Sequence, residues 1–490
     1  MDTMAIQFPH VTMLPLSRFA ALLDAARMQQ IDDRVAALRA RLAGRVVWNV
    51  SSTAVGGGVA EMVRSLLAYA RGAGVEARWA VIEGTPEFFQ LTKRLHNALH
   101  GSVGDGSPLG DAEQQLYERV TRQNAAELVP LVRPRDVVVV HDPQPAGMMA
   151  DLARRGAMVI WRCHIGHDRV NAEVERGWRF LAPHVQAAAA YVFSRAAYVP
   201  AQVDAGRSVV ITPSIDPFSP KNQPMADLSV RAILARIGII AGSDVVDGEA
   251  CCFTREDGAP GRVDRQADVV RQGAPPSFET PLVVQVSRWD QLKDPIGVLH
   301  GFARIGVEAA AGAQLVLAGP DVRGVSDDPE GAEVYQRVVA AWRALPLERR
   351  RRVQLVSLPT VDIAENAAMV NALQRHATMI VQKSLHEGFG LTVTEAMWKA
   401  RPVLASAVGG IRDQIDDGVD GLLIADPTDL NAFAAQVVRL LGDAELARRL
   451  GANGHARVLE RYLGIQSLLH YGALIEQLDG PSAGASATAP

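Results

Sequence analysis

The sequence predicts an α/β protein of two domains, each a parallel sheet wrapped by helices. Three observations carry this. The 490 residues exceed one ordinary core, since domains run to about 100–200 residues. Short apolar runs alternate with amphipathic segments along most of the chain, the rhythm of strand–helix–strand units. That rhythm breaks once, past Asp216, and resumes at Leu282.

From the start, Leu22, Leu23, Ala26, Val35, Leu38 and Leu42 recur at spacings near three to four, which predicts a helix over Leu16 to Ala43. Residues 1–43 are therefore a helical extension ended by Gly44. The first domain spans 44–215. Its first strand is Arg45 to Val50, followed by the turn Gly56-Gly57-Gly58 and a helix with Val59, Met62, Val63, Leu66, Leu67 and Ala70 on one face. Further strands fall at Ala77–Ile82, Val137–Val140, Met158–His164, Tyr191–Ser194 and Val209–Thr212. The second domain spans 216–462, with strands at Leu282–Val286, Gln314–Ala318, Val353–Val356, Met379–Gln382 and Val403–Ala405. Within it, 242–281 is rich in Gly, Pro, Asp and Arg with little apolar period, and reads as a surface insertion with a turn at Asp257-Gly258. A last helix at about 463–478 is expected to pack back on the first domain. The tail 479–490 is Gly, Ala, Ser and Pro and reads as disordered.

Composition excludes several classes. Fifty basic and 54 acidic residues leave a net charge of -4, which offers no nucleic-acid surface. No stretch reaches the roughly 18 apolar residues of a membrane span. Three cysteines, Cys163, Cys251 and Cys252, form neither a disulfide framework nor a spaced metal site. A reducing, cytoplasmic compartment is expected, with no metal and no cofactor.

In parallel α/β sheets, ligands bind beyond the carboxyl ends of the strands, and the polar clusters fall there. Glu387-Gly388-Phe389-Gly390-Leu391-Thr392 follows the strand Met379–Gln382 and leads into a helix that carries Glu395. The glycines admit close backbone approach, and the helix start offers free N–H groups to an anion. Two carboxylates bracketing such a loop suit a ligand with hydroxyls on either side of a diphosphate. An acid-capped helix terminus explains the same residues equally well when they are taken alone. Ser287-Arg288 to Lys293-Asp294-Pro295 follows the strand Leu282–Val286, with Asp294 a helix cap and Pro295 the first helical residue. Arg288 supplies a fork and Lys293 a point charge for phosphate oxygens, although most loop cations are simply solvated.

In the first domain, Gly56-Gly57-Gly58-Val59-Ala60-Glu61 fails as a dinucleotide fingerprint, because Glu61 stands at the third glycine position. A glycine loop touching a sugar or phosphate through Gly57 and Gly58 fits better, beside the plainer reading of a tight turn. His141-Asp142-Pro143-Gln144 and Trp161-Arg162-Cys163-His164 both close strands. His164 is favoured as a site residue, and Cys163, pointing to the opposite side of the strand, as core.

Together, Arg288 and Lys293 on the first loop of the second domain and the E-x7-E pair Glu387 and Glu395 resemble the retaining GT-B glycosyltransferases of family four. Val408-Gly409-Gly410-Ile411 fits that family's next loop. The segments Trp79 to Phe89, Thr92 to Gly101 and Pro213 to Pro217 look more narrowly like the trehalose glycosyltransferring synthases, and share much with the retaining trehalose phosphorylases. The resemblance covers roughly residues 45–475 and departs at the extension and the insertion. It implies a GT-B fold, two Rossmann-like parallel-sheet domains facing a deep interdomain cleft.

By the same resemblance, Arg288 and Lys293 hold the donor diphosphate, Glu387 meets the donor sugar and Glu395 the ribose. Gly57, Gly58, Gly388, Phe389, Gly390 and Leu391 line the donor. Asp142, Gln144 and Arg162 meet the acceptor, and His164 joins the catalytic set. The implied reaction is reversible transfer of glucose from NDP-glucose to glucose, giving α,α-trehalose and NDP. The implied partners are these small molecules, with neither nucleic acid nor membrane, and a homodimer is compatible with such a chain. A trehalose phosphorylase, another family-four glycosyltransferase and a non-catalytic sugar- or nucleotide-binding protein stay open as alternatives. The base of the nucleotide is not encoded in these motifs.

Overall fold

The computed structural model describes residues 6–54, 57–242, 250–322 and 329–480. The chain divides into two compact units, 1–214 with 462–490, and 215–461.

The first unit is built on a six-stranded parallel sheet. Its strands are β1 (Val47–Ser51), β2 (Ala77–Val81), β3 (Val137–His141), β4 (Met158–Cys163), β5 (Ala190–Phe193) and β6 (Ser208–Val210), in the order β2-β1-β3-β4-β5-β6. The run Val137-Val138-Val139-Val140 is buried on both faces, as a central parallel strand requires. Trp48, Trp161, Tyr117 and Phe88 fill the core against it. This centre sets β1, β3 and β4 side by side, with Asn49 midway along β1, His141 at the carboxyl end of β3 and His164 just past the end of β4.

The N-terminal segment departs from the single helix its periodicity predicts. A 3-10 turn at Leu16–Ala21 is followed by the α-helix Ala25–Arg41. The break lies at Asp24, whose side chain accepts the backbone N–H of Arg27 and so starts a new helix. That helix packs on the C-terminal helix Gly464–Asp479, where Leu38 lies against Gly472. Asp479, placed by its composition in a disordered tail, instead ends this helix and pairs with Arg45 at 2.7 Å. Residues 481–490 lie outside the described residues.

The second unit holds a seven-stranded sheet. After the hairpin β7 (Cys252–Thr254) and β8 (Pro260–Arg262) come β9 (Asp268–Val270), β10 (Leu282–Val286), β11 (Gln314–Pro320), β12 (Val353–Leu358), β13 (Met379–Gln382), β14 (Val403–Ser406) and β15 (Leu422–Ile424). The sheet order is β15-β14-β13-β10-β11-β12-β9. All neighbours are parallel except β9, which runs antiparallel to β12.

Strand β9 corrects the reading of 242–281 as a plain surface insertion. Its last part is the edge of the main sheet, and the hairpin before it is tied down by ion pairs. Arg255 bonds both carboxylate oxygens of Asp362. The buried Glu365 accepts the backbone N–H groups of Asp264 and Arg265 at 2.7 Å each and pairs with the Arg265 side chain. Three-residue strands in an Arg- and Asp-rich segment carry too little apolar period to be read, and the partners that hold the segment in place, β12, Asp362 and Glu365, lie far along the chain. The turn at Asp257-Gly258 closes the hairpin, with the Asp257 side chain accepting from Ala259. Residues 243–249 of the segment lie outside the described residues.

Candidate active site

In the second unit the site grows from the loops after β10 and β13, neighbours at the centre of the sheet. The β10 loop ends at Asp294, held at φ 48°, whose Oδ1 caps the helix Pro295–Ala303 by accepting the N–H of Gly297 at 3.0 Å. A left-handed aspartate is strained, and such strain persists only where surroundings over-determine it. The surroundings here are Lys383, whose side chain is fully buried and whose Nζ donates to Asp294 Oδ2. The backbone N–H of Lys383 also donates to Gln285 Oε1 at 3.3 Å. Lys383 and Asp294 thus lock the two loops together.

Lys293, one residue before that cap, donates to Glu387 Oε2 at 2.5 Å, and Glu387 also accepts from the Ser384 hydroxyl at 3.2 Å. Arg288 stands apart, 55% exposed, with a 3.4 Å contact to Asp290.

The next residues form the glycine loop. Gly390, at φ 89°, caps the helix Leu391–Trp398, a conformation that excludes β-branched residues and favours glycine. The loop is strapped to the segment after β14. Gly410 donates to the Gly388 carbonyl at 3.1 Å. Gln414, buried, donates to the Phe389 carbonyl at 2.5 Å and accepts from Thr394 at 2.6 Å. A Cβ at Gly410 would lie 2.6 Å from the Phe389 Cα, so only glycine allows this approach. Gly388, Phe389, Gly390 and Leu391 are therefore held rigidly at the N-terminus of a helix, with Phe389 buried beneath.

Glu395 lies on the helix that this loop opens. It is 5% exposed, accepts from Gln374 at 3.4 Å and lies 3.7 Å from the Lys221 ammonium. On a helix that packs its inner face on the core, the fifth residue points inward, and a spacing in sequence does not reveal that. Lys399 completes the cluster, donating to Asn222 Oδ1 at 2.9 Å and Gln374 Oε1 at 2.7 Å. Burial pushes the Lys399 ammonium down to about 7, against the opposing pull of Glu395.

In the first unit, the strand ends bring His141, Asp142 and His164 together. His141 Nδ1 lies 3.2 Å from His164 Nε2, and His141 Nε2 lies 2.8 Å from Asn49 Oδ1. The two rings are parallel within 8°. Asp142 sits at φ 63° and accepts the backbone N–H of His164 at 2.7 Å. Burial pushes its carboxyl up to about 7, only partly offset by that N–H and by Arg162. Burial, with the charge of Arg162, lowers His141 to about 3 and draws His164 well below the ordinary imidazole range. Gln144 presents a buried Oε1 without a hydrogen-bond partner, an atom suited to a ligand hydroxyl.

Arg162 is not at the surface of this site. It is 1% exposed, and the Nη atoms of its guanidinium donate to the carbonyls of Phe193 and Ile211, at 3.1 and 2.6 Å, and to Ser194 at 3.3 Å. Arg162 lies within β4, two residues before His164, and its side chain reaches across the carboxyl ends of β5 and β6. Cys163 is fully buried, on the opposite side. Gly57 and Gly58 open the helix Gly57–Gly72, while Gly56 lies outside the described residues. Sequence reasoning missed Lys383, Asn49, Gln414 and Lys399; only Lys383, an apolar strand's polar successor, carried any signal.

Fold and site together define a glycosyltransferase of the GT-B class. The structure resembles an α,α-trehalose-phosphate synthase (UDP-forming) from Burkholderia xenovorans, with a TM-score of 0.63 at 16% identity over 88% of this chain and all of that one, and residues 271–457 match the glycosyl transferases group 1 family. Residues 49–200 match the trehalose synthase N-terminal domain, and the trehalose synthase of Pyrococcus horikoshii is 34% identical over 440 residues, 90% of this chain and 92% of that one. The chain belongs to the trehalose synthase family. A trehalose phosphorylase from Pleurotus pulmonarius is more distant, 25% identical over 82% of this chain and about half of its own length.

Proposed function

We propose that this glycosyltransferase reversibly transfers glucose from an NDP-glucose to glucose with retention, giving α,α-trehalose and NDP. The observation that carries the reading is the contact between Lys293 and Glu387 beside the glycine loop. It sets a cation for a diphosphate against a carboxylate for sugar hydroxyls, at the start of a helix whose free N–H groups face an anion.

The acceptor hydroxyl attacks the face that the diphosphate leaves, which preserves the anomeric configuration, and the leaving phosphate takes the proton. No side-chain nucleophile takes part. Lys293 and Arg288, with the Gly388–Gly390 backbone, stabilise the departing charge, and the rest of catalysis is positioning. Asp142, Gln144 and His164 hold the acceptor. Glu395 acts on the ribose only by exchanging its contacts with Gln374 and Lys221 for ribose hydroxyls. This reading needs neither metal nor cofactor, and it is set in the cytoplasm. Three free cysteines accord with that compartment, and no helix among the described residues is long and apolar enough to cross a membrane.

Incubation of the protein with glucose and ADP-, UDP- or GDP-glucose, followed by mass spectrometry of the disaccharide, tests the donor and the product. Trehalose cleavage supported by NDP and not by inorganic phosphate is expected. Cleavage that requires phosphate would replace the reading with a phosphorylase.

A further inference from the structure

We propose that Asn49, acting through His141, fixes His164 in the neutral tautomer with its proton on Nε2, so that His164 offers a bare Nδ1 as a hydrogen-bond acceptor to a sugar hydroxyl. Asn49 and His141 are then positioning residues.

The side-chain oxygen of Asn49 faces His141 Nε2 at 2.8 Å. An amide oxygen only accepts, so that nitrogen carries the proton. His141 is 2% exposed, beside the cation of Arg162, and burial there keeps its ring neutral at working pH. A neutral ring protonated on Nε2 has a bare Nδ1, and this nitrogen faces His164 Nε2 at 3.2 Å. His164 Nε2 must then be the donor. His164 is also kept neutral by burial and the Arg162 charge, so its own Nδ1 is left without a proton.

The arrangement is rigid as well as ordered. The rings are parallel within 8° with centroids 5.5 Å apart, and the Asp142 carboxyl holds the His164 backbone N–H at 2.7 Å. His164 is half-buried where His141 is buried, so of the two rings His164 is the one a ligand can reach. A neutral acceptor on that ring selects a ligand that donates an O–H, as a sugar does. It does not suit a phosphate oxygen, which needs a donor, and it removes His164 from any role as a general acid.

The sugar half of this inference rests on the glucose-transfer reading above, but the tautomer does not. The test is long-range proton–nitrogen NMR on the full chain labelled with 15N-histidine. Spectra of His141→Gln and His164→Gln assign the two rings among the 12 histidines. The expected result is a His164 ring whose Nε2 is protonated and whose Nδ1 resonates as an unprotonated nitrogen. Asn49→Leu removes the acceptor that starts the chain. It is expected to mix the tautomers of His164 and to raise the KM for glucose about tenfold, with kcat little changed. A wild-type spectrum with the His164 proton on Nδ1 overturns the relay, whatever the substrate. The expected tautomer together with an Asn49→Leu enzyme of unchanged KM for glucose overturns the assignment of Nδ1 to a sugar hydroxyl.

Discussion

Lys293 Nζ and Glu387 Oε2 meet at 2.5 Å, joining two loops 94 residues apart in sequence. Both groups are largely buried, so neither is idle in the free protein. Under the proposed function, a diphosphate arriving at Lys293 would compete with Glu387, and the carboxylate would be released toward the sugar as the cation is drawn to phosphate. Donor binding and alignment of the sugar would then be one event.

Lys293→Ala should lower kcat/KM by about 2–4 kcal/mol in transition-state terms, because leaving-group charge develops where water is excluded. Arg288→Ala should lose a comparable amount of activity without changing the melting temperature, since Arg288 is exposed and makes only a 3.4 Å contact. Steady-state kinetics and a thermal melt of each variant check this. Near-normal kcat/KM in both would remove the diphosphate clamp from these residues.

The two glutamates should separate. Glu387→Gln weakens contacts that tighten as the oxocarbenium-like centre forms, so kcat should fall. Glu395→Gln should raise the KM for NDP in the trehalose-cleaving direction with kcat little changed. Because Glu395 is buried against Gln374 and Lys221, it should also cost about 1–3 kcal/mol of stability. An unchanged KM for NDP in Glu395→Gln would leave that residue a purely structural one.

Gly410→Ala tests the strap on the glycine loop. The added Cβ would meet the Phe389 Cα at 2.6 Å and the Gly388 carbonyl oxygen at 2.9 Å, both backbone, so the loop itself must move. Overpacking of this kind costs about 1–3 kcal/mol, and donor affinity should fall with it. Thermal melts and NDP titration of the variant measure the two effects, and a variant with wild-type NDP affinity would show that the loop need not hold its position.

Much of this was legible in the sequence because it depends on local order. Val137 to Val140 and Leu282 to Val286 read as buried strands since the first is wholly apolar and the second is broken only by Gln285, and Arg288, Lys293 and Glu387 could be placed because each follows a strand of this kind. What was not legible depends on direction and on distant partners. Glu395 and Arg162 are polar residues at plausible spacings, yet helix packing turns the first inward and strand depth places the second among carbonyls. Strand β9 exists because Leu355, Val356 and Ser357 offer it an edge, which no property of Asp268 to Val270 announces. Asn49 looked like one polar residue in an apolar strand, and its meaning appears only when His141 arrives from β3.

The histidine pair and Asp142 should oppose each other in the pH dependence of stability. The folded protein holds His141 near 3 and His164 well below 6.5, so under mild acid it binds fewer protons there than the unfolded chain. Their contribution is full above pH 6.5 and is lost as pH falls toward 3, by up to about 1.4 kcal/mol per pH unit for each ring. Asp142 has the reverse sign. Its folded carboxyl is raised to about 7, so folding takes up a proton between about pH 4 and 7, and that contribution grows as pH falls through the same window. Asp142→Asn cannot titrate, retains the oxygen that accepts from the His164 N–H, and tolerates the left-handed backbone at φ 63°. The variant should therefore be more stable than the parent at pH 8, with the gap closing by pH 4. Its melting temperature should fall steadily from pH 7 to 4, because the histidine contribution is no longer offset. Melts of both proteins at half-unit steps from pH 4 to 8 decide the matter, and a gap that stays constant across that range would mean that the folded protein keeps the Asp142 carboxyl in its ordinary range, ionised down to about pH 4.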